Sequence, residues 1–153
     1  MTRLLDLLDL RSMDLRLTAT TKQEAITQMV ELMARSGVVC DAPTYLEAVL
    51  ARESEGTTGL GDDVAIPHAK SDGVLRPAVA FARAPQGIDW GASDGSLTRL
   101  VFLIGVPAAQ AGDEHLRILA MLARKLVNGQ FRTSLLEAAD EQQVREILAV
   151  VGA

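Results

Sequence analysis

The sequence is poor in the residues on which several classes of function depend. It contains a single cysteine, Cys40, so an internal disulfide is excluded, and we interpret this thiol as structural. Aromatic residues make up only 3% of the chain, which argues against the stacking platforms that bind single-stranded nucleic acid. The net charge is −5 at pH 7, so no basic footprint indicates a nucleic-acid partner. The absence of a Walker loop argues against direct nucleotide hydrolysis.

Long apolar runs are also missing. The longest, from Leu100 to Ala109, contains a glycine and a proline and is too short to cross a bilayer. The amino-terminal stretch is interrupted by Asp6 and Asp9, so it lacks the continuous core of a signal peptide. The 153 residues are 48% hydrophobic, mostly leucine, valine, isoleucine and alanine. We therefore expect a cytoplasmic protein that forms one domain over residues 1–153.

Five segments show helical patterns. The first begins at a capping box formed by Thr21 and Glu24, and the second opens at Asp41. A third starts at Asp113, and its inward apolar stripe is predicted to begin with Leu116. The remaining predicted helices cover Phe131 to Ala138 and Asp140 to Leu148.

Apolar runs between the helical segments predict strands that are covered on both faces. These runs are Val64–Ile66, Ala78–Ala82 and Leu100–Val106. A weak alternation from Met13 to Leu17 predicts a first strand, and the turn composition of Pro85–Gly91 predicts a loop. Strands interleaved with helices indicate an α/β fold with a covered sheet.

His68 is the most informative residue, because the chain has only two histidines and this one follows a proline at the end of an apolar run. Pro67 fixes its own φ and favours an extended Ile66, so the imidazole leaves the strand in a defined direction. Histidine has an unperturbed pKa of about 6.5, so much of it is neutral and nucleophilic near pH 7. The alternative is a partly buried histidine whose nitrogens bond to the backbone.

Several basic residues are candidates for holding an anion, and each has a structural alternative. His115 lies just past the predicted N-cap Asp113, where the helix dipole favours an anion, although it could instead half cover the core. Arg52 follows the stripe of the second helix, and a guanidinium can bind two phosphate oxygens, although a solvated helix-end charge is the alternative. Lys70 and Arg83 are of types usually found at the surface.

Together these groups suit the transient capture of a phosphoryl group. The imidazole would be the nucleophile, while arginine, the second histidine and the hydroxyls of Thr57 and Thr58 would stabilise charge. Asp62 and Asp63 are most simply a solvated turn.

One long motif joins these residues. It runs from Glu53 through six residues to the stretch Leu60–Ala69, which contains His68, and further characteristic segments follow it in order: Pro77–Phe81, Gly87–Gly91, Leu100–Ile104 and Glu114–Leu122. The series covers nearly the whole chain. It resembles the fructose/mannitol-type (type 2) IIA components of the bacterial phosphoenolpyruvate-dependent sugar phosphotransferase system (PTS).

The resemblance implies a mixed β-sheet flanked by helices on both sides, without metal or organic cofactor. It implies that His68 accepts a phosphoryl group from HPr or an HPr-like domain and passes it to a IIB component. IIB then phosphorylates the sugar that enters through a membrane IIC component. By position, Arg52 corresponds to the family's arginine beside the phosphohistidine, and His115 to its second active-site histidine. Thr57, Thr58 and Lys70 would support the phosphate.

Two departures from the family pattern stand out. Asp63 lies where glycine is common, and Ala123 where serine is frequent; the extra carboxylate would weaken phosphate affinity if it faced the site. The segments Ala69–Lys70 and Gly87–Gly91 favour the fructose branch. A nitrogen-type regulatory IIA protein, which controls partners by its phosphorylation state, remains the alternative. A metal-dependent hydrolase that uses both histidines is disfavoured, since zinc sites usually need three protein ligands and the chain has no close histidine pair.

Overall fold

The computed structural model describes residues 3–109 and 113–152, and the side chains of Glu114 and His115 lie outside the described part. After a short 3₁₀ helix, the elements in chain order are β1 (Leu8–Asp14), α1 (Lys22–Arg35), α2 (Ala42–Ser54), β2 (Gly59–Gly61), β3 (Val64–Ala65), β4 (His68–Ser71), β5 (Ala78–Ile88), β6 (Thr98–Pro107), α3 (Glu114–Leu126), α4 (Gly129–Glu137) and α5 (Glu141–Leu148). None of the helices in the described residues is long and apolar enough to cross a membrane.

The strands form one mixed sheet. Its order is β1-β5-β6-β3-β2, and β4 also pairs with β6. β5 and β6 are antiparallel, β1 is parallel to β5, and both β3 and β4 are parallel to β6. β2 closes an antiparallel hairpin with β3.

β3 and β4 lie one after the other along the same edge of β6. Val64 pairs with Leu100 and His68 pairs with Ile104, so the register is the same before and after the break between the two strands. Pro67 causes the break, because it has no N–H to donate to the ladder. Its carbonyl still accepts a hydrogen bond from Ile104 N–H at 3.0 Å. The proline therefore interrupts the pairing and leaves His68 as the first residue of β4.

Each face of the sheet carries its own apolar cluster. Helices α1 and α2 pack on one face against small residues of β5, among them Ala80 and Ala82. Helices α3, α4 and α5 pack on the other face, against the large residues Val79 and Phe81. The predicted mixed sheet with helices on both sides is confirmed.

The helix starts follow the local capping signals. Thr21 Oγ1 accepts the Glu24 N–H at 3.1 Å, and the side chain of Asp41 caps α2 in the same way. Asp140 likewise accepts the Gln143 N–H at 2.9 Å and begins α5. These caps depend on residues a few positions apart, and the predictions made from them are confirmed.

One strand prediction and one loop prediction are wrong in their bounds. β1 covers Leu8–Asp14 rather than Met13–Leu17, because a register shift between Leu8 and Met13 breaks the alternation that would reveal the strand. The predicted loop at Pro85–Gly91 lies mostly within β5, which continues to Ile88. There the register with β6 shifts, and Gly87 adopts a φ of +78°, so turn residues occur inside a strand.

Two side chains also differ from expectation. Leu116 is 54% exposed, whereas Ile118 is fully buried and begins the inward stripe of α3. Arg83 is not a surface residue. It is partly buried, and its guanidinium donates to carbonyls at the end of α4. The stripe prediction failed because the helix is rotated by its packing on the sheet, which the sequence period alone does not set.

Candidate active site around His68

The ring of His68 has a defined tautomer. Its Nδ1 lies 2.9 Å from the carbonyl oxygen of Ile66. A carbonyl oxygen only accepts, so Nδ1 carries the hydrogen. In the neutral ring, Nε2 therefore holds the lone pair and is the nucleophilic nitrogen. The backbone bond anticipated as a structural alternative thus exists at one nitrogen, and it leaves the lone pair on the other.

His68 and Lys70 project on the face of the sheet that α3 covers. Their register partners on β6 are Ile104 and Val106, which belong to the apolar cluster beneath α3. Neighbouring residues in register point to the same face of a sheet. Ala69, between them, packs against the opposite cluster. The backbone of His115 is in the first turn of α3, but its side chain is outside the described residues.

Arg52 lies in the last turn of α2 and is attached to the loop that follows. Its Nη1 donates to the carbonyl of Gly56 at 2.9 Å. The structure thus joins Arg52 to the segment that contains Thr57 and Thr58.

This loop is connected to the histidine by two successive hydrogen bonds, one between backbone groups and one from the imidazole to the backbone. The carbonyl of Thr58 accepts the N–H of Ile66 at 3.1 Å. The carbonyl of Ile66 in turn accepts Nδ1–H of His68. Thr58 therefore helps to position the Ile66 peptide, whose carbonyl orients the imidazole of His68.

The hydroxyls of the two threonines both donate hydrogen bonds to other groups of the protein. Thr58 is buried and its Oγ1 donates to Glu53, while Thr57 Oγ1 donates to the carbonyl of Trp90 at 2.5 Å. In this arrangement the threonines hold the loop. Lys70 is exposed on β4. Support of a phosphate by Thr57, Thr58 or Lys70 stays a prediction.

Sequence reasoning missed Glu53 as a part of the site. It entered only as the first residue of the motif, yet its side chain is 5% exposed and accepts hydrogen bonds from Lys22, Thr58 and Trp90. The sequence did contain one indication of its importance. A glutamate near the C-terminus of a helix is disfavoured by the helix dipole, so its presence there points to specific partners.

Tyr45 supports the strand beside His68 from the opposite face. Its hydroxyl donates to the carbonyl of Ile104 at 2.8 Å. Burial raises the pKa of Tyr45 well above its ordinary value, so the hydroxyl keeps its proton and remains a donor. Gly105 makes room for the ring, since a Cβ there would lie 2.9 Å from the Tyr45 hydroxyl.

The two aspartates before β3 form the predicted turn. Asp62 and Asp63 have φ values of 54° and 72°, as residues of a tight hairpin do. Asp94 accepts the N–H of Asp62 at 3.0 Å, and hydrogen bonds to Ser96 and to this N–H lower the pKa of Asp94. Asp63 binds Arg99 through two contacts of 3.1 Å, which raise the pKa of Arg99. The extra carboxylate noted in the sequence is therefore paired.

Among the residues that the structure describes, no group of three or more histidine, cysteine, aspartate or glutamate side chains is arranged to hold a metal ion.

A family model described as "Phosphoenolpyruvate-dependent sugar phosphotransferase system, EIIA 2" matches residues 6–150. The fructose-specific EIIA component of Haloferax volcanii is 47% identical over 131 residues, which are 86% of this chain and 84% of that protein. The fructose-specific EIIABC component of Bacillus subtilis is 36% identical over 146 residues, 95% of this chain but 23% of that protein. A nitrogen regulatory protein of Pseudomonas aeruginosa is 34% identical over 131 residues, 86% of this chain and 84% of that protein.

The fold of this chain is similar to that of several solved structures. Nitrogen regulatory protein IIA-Ntr from Neisseria meningitidis superimposes with a TM-score of 0.86 at 33% identity, covering 94% of this chain and 97% of its own. The complex of enzyme IIA mannitol with phosphorylated IIB mannitol from Escherichia coli matches with a TM-score of 0.80 at 29% identity, covering 94% and 99%.

Proposed function

Since the chain belongs to the type 2 EIIA family of the phosphoenolpyruvate-dependent sugar phosphotransferase system, whose components transfer phosphoryl groups through a phosphohistidine, we propose that His68 is its phosphoryl acceptor. One observation carries this assignment. The bond from Nδ1–H of His68 to the Ile66 carbonyl leaves the lone pair on Nε2, at the start of β4. The nucleophile is thus oriented before a donor arrives.

The transfer follows from this geometry. Nε2 attacks the phosphorus of a phosphohistidine donor as the bond from phosphorus to the donor nitrogen breaks, and that electron pair returns to the donor ring. The His68 ring gains positive charge, which the Ile66 carbonyl stabilises through Nδ1–H. Phosphoryl transfer asks little covalent chemistry of a protein beyond positioning and charge stabilisation.

Arg52 and His115 are proposed to stabilise the transferred group. The Gly56 carbonyl occupies one N–H of the Arg52 guanidinium, which carries five donors in all. His115 belongs to the first turn of α3, on the face to which His68 projects. Thr57, Thr58 and Lys70 are proposed to support the phosphate less directly, the threonines by holding the loop.

The proposed donor is HPr or an HPr-like domain, and the proposed acceptor is a IIB component working with a membrane IIC component for fructose. The fructose-specific relatives favour this sugar. A relative of mannitol type is known in complex with phosphorylated IIB. The protein would act in the cytoplasm and reach the membrane only through IIB and IIC.

A regulatory function is the second candidate. Nitrogen regulatory proteins are among the similar proteins, both by sequence and by fold. In that case the phosphorylation state of His68 would control binding to other proteins instead of feeding a IIB component.

Mass spectrometry after incubation with phosphoenolpyruvate, enzyme I and HPr tests the acceptor. We expect one acid-labile phosphate on the wild type and none on folded His68→Ala. Arg52→Ala and His115→Ala should still take the phosphate, but roughly a hundredfold more slowly, as expected when one charge-stabilising donor is lost. Arg35→Ala is the matched control, because Arg35 lies in the last turn of α1 as Arg52 does in α2. A phosphorylated His68→Ala together with an unphosphorylated His115→Ala would reverse the assignment of the two histidines.

Transport and regulation are separated by the next step. The phosphorylated protein is mixed with a fructose IIB domain, and the phosphate on each of the two proteins is followed over time. Rapid transfer to IIB supports sugar uptake. A phosphorylated protein that keeps its label with active IIB present supports the regulatory function.

A further inference from the structure

We propose that Glu53, with Lys22, Thr58 and Trp90, forms a buried network that positions the imidazole of His68 for phosphoryl transfer. The inference rests on the proposed function of His68. It assigns Glu53 a positioning role, since the carboxylate acts through the loop before β2 and not on the phosphoryl group itself.

The carboxylate of Glu53 is the centre of the network. Oε2 accepts from Lys22 Nζ at 3.0 Å and from the Thr58 backbone N–H at 3.3 Å. Oε1 accepts from the Thr58 hydroxyl and from Trp90 Nε1 at 3.3 Å. A carboxylate that is 95% removed from solvent needs such partners, because an unpaired buried charge is very costly.

The charges of this network oppose the local preferences of both helices. Lys22 is the first residue of α1, where the positive end of the dipole disfavours a cation. Glu53 is the penultimate residue of α2, where the negative end disfavours an anion. Sequences break such local rules mainly at functional or strained sites. Each helix is therefore destabilised by the charge at its end, and neither helix needs the Lys22–Glu53 pair for its own stability.

The network fixes the loop between α2 and β2 from several sides. Trp90 is fully buried, its Nε1 also donates to Thr58 Oγ1 at 3.1 Å, and its ring lies 5.9 Å from Lys22 Nζ. The carbonyl of Trp90 accepts from the Thr57 hydroxyl. Thr57 is thereby bonded to Trp90, and Thr58 is bonded to both Trp90 and Glu53. Arg52 is bonded to the carbonyl of the preceding Gly56.

A short chain of hydrogen bonds leads from this network to the reacting ring. Glu53 holds the N–H of Thr58, the Thr58 carbonyl holds the N–H of Ile66, and the Ile66 carbonyl holds Nδ1–H of His68. Movement of Thr58 would shift the Ile66 peptide and weaken the bond that selects the tautomer. A misplacement of about 1 Å can cost a hundredfold in rate.

The test combines a spectroscopic and a kinetic measurement on four full-length variants. Glu53→Gln keeps the shape and removes the charge. Thr58→Val keeps the shape and removes the hydroxyl, and Thr58→Ser restores the hydroxyl. Glu47→Gln, at an exposed glutamate of the same helix, is the matched control. Ring ¹⁵N shifts report the tautomer of His68, and label transfer from phospho-HPr reports the rate.

We expect wild type, Glu47→Gln and Thr58→Ser to show the Nδ1–H tautomer of His68. Folded Glu53→Gln and Thr58→Val should gain the Nε2–H tautomer and accept phosphate about ten- to a hundredfold more slowly. Thr58→Val exchanges the hydroxyl for a methyl group, whereas Thr58→Ser keeps the hydroxyl and loses the methyl group. Comparing these two variants with the wild type therefore decides the question if Glu53→Gln fails to fold.

Unchanged ring shifts in folded Glu53→Gln and Thr58→Val would overturn the proposal, even with slower transfer, because the network would then act elsewhere than on the ring. A wild type that takes no phosphate would instead refute the proposed function. The tautomer measurement needs no phosphoryl donor, so it separates the two failures.

Discussion

At the scale of single residues, Gly105 shows how closely the helix α2 approaches the strand beside the site. A Cβ at this position would lie 2.9 Å from the hydroxyl oxygen of Tyr45, 3.0 Å from its Cζ and 3.2 Å from Val74 Cγ2. Tyr45 cannot move away easily, since it is fully buried and its hydroxyl is bonded to the carbonyl of Ile104. The absence of one methyl group thus lets a tyrosine brace the register partner of His68.

Gly105→Ala should lower the free energy of unfolding by about 1–3 kcal/mol, because the added methyl overpacks a closed space. Urea denaturation measures this change. Adding Tyr45→Phe removes the closest contact, so the double variant should lose less than the sum of the two single losses. Gly129→Ala is the control, since its Cβ would make an ordinary 3.5 Å contact with Arg132 at the start of α4. Additive losses would contradict the steric explanation.

At the scale of elements, Arg83 joins a strand to the end of a helix. From β5, its Nη1 donates to the carbonyls of Leu135, Leu136 and Ala138 at 2.8–3.1 Å, and its Nε donates to the carbonyl of Leu15. The last carbonyls of a helix have no partner within it. A guanidinium on the neighbouring strand satisfies them here, which holds α4 against the sheet.

Arg83→Met should therefore cost about 2 kcal/mol in unfolding free energy, as expected for hydrogen bonds to a charged group. Arg83→Lys should recover only part of this, because a compact ammonium cannot span the carbonyls that the guanidinium reaches. Hydrogen exchange should show the loss of protection first in α4. Arg35→Met, at an exposed helix end, serves as the control, and an equal loss there would argue against the capping function.

At the scale of the whole molecule, the sheet separates two cores of different character. On one face the alanines of β5 leave space for α1 and α2 to come close. On the other face Phe81 packs on Phe102 with ring centroids 4.9 Å apart, and α3, α4 and α5 cover them. The close approach of α2 brings Glu53 and Arg52 to the loop that leads to His68, so the small residues on that face also serve the site.

The two faces should respond differently to substitution. Phe81→Ala should destabilise by about 3–5 kcal/mol through the cavity that it leaves. Ala80→Leu should cost about 1–3 kcal/mol through overpacking beneath α1. Urea denaturation measures both, and Ala139→Leu at an exposed position should stay within about 0.5 kcal/mol of wild type. A harmless Ala80→Leu would mean that the helices on that face are not closely packed.

Prediction from the sequence succeeded where neighbouring residues decide the structure. The caps at Thr21, Asp41 and Asp140 were found because each is made within one turn of helix. It failed where distant residues decide, as at Leu116, whose exposure depends on how α3 is rotated against the sheet. The turn residues inside β5 misled for the same reason, since pairing with β6 overrides their local preference.

The sequence by itself determined the α/β class and the strand-ending Pro67–His68 pair, because apolar periods, caps and the missing proline N–H act locally. The family and its mixed sheet were implied by the resemblance that the long motif around His68 carries. Only the tertiary structure decided the tautomer of His68 and the partners of Glu53. Lys22, Glu53 and Trp90 belong to three separate segments, and their contacts arise when α1 and α2 pack on the same face of the sheet. Such long-range bonds leave no periodic signal in a single sequence, since nothing in the spacing of two residues records that the fold brings them together.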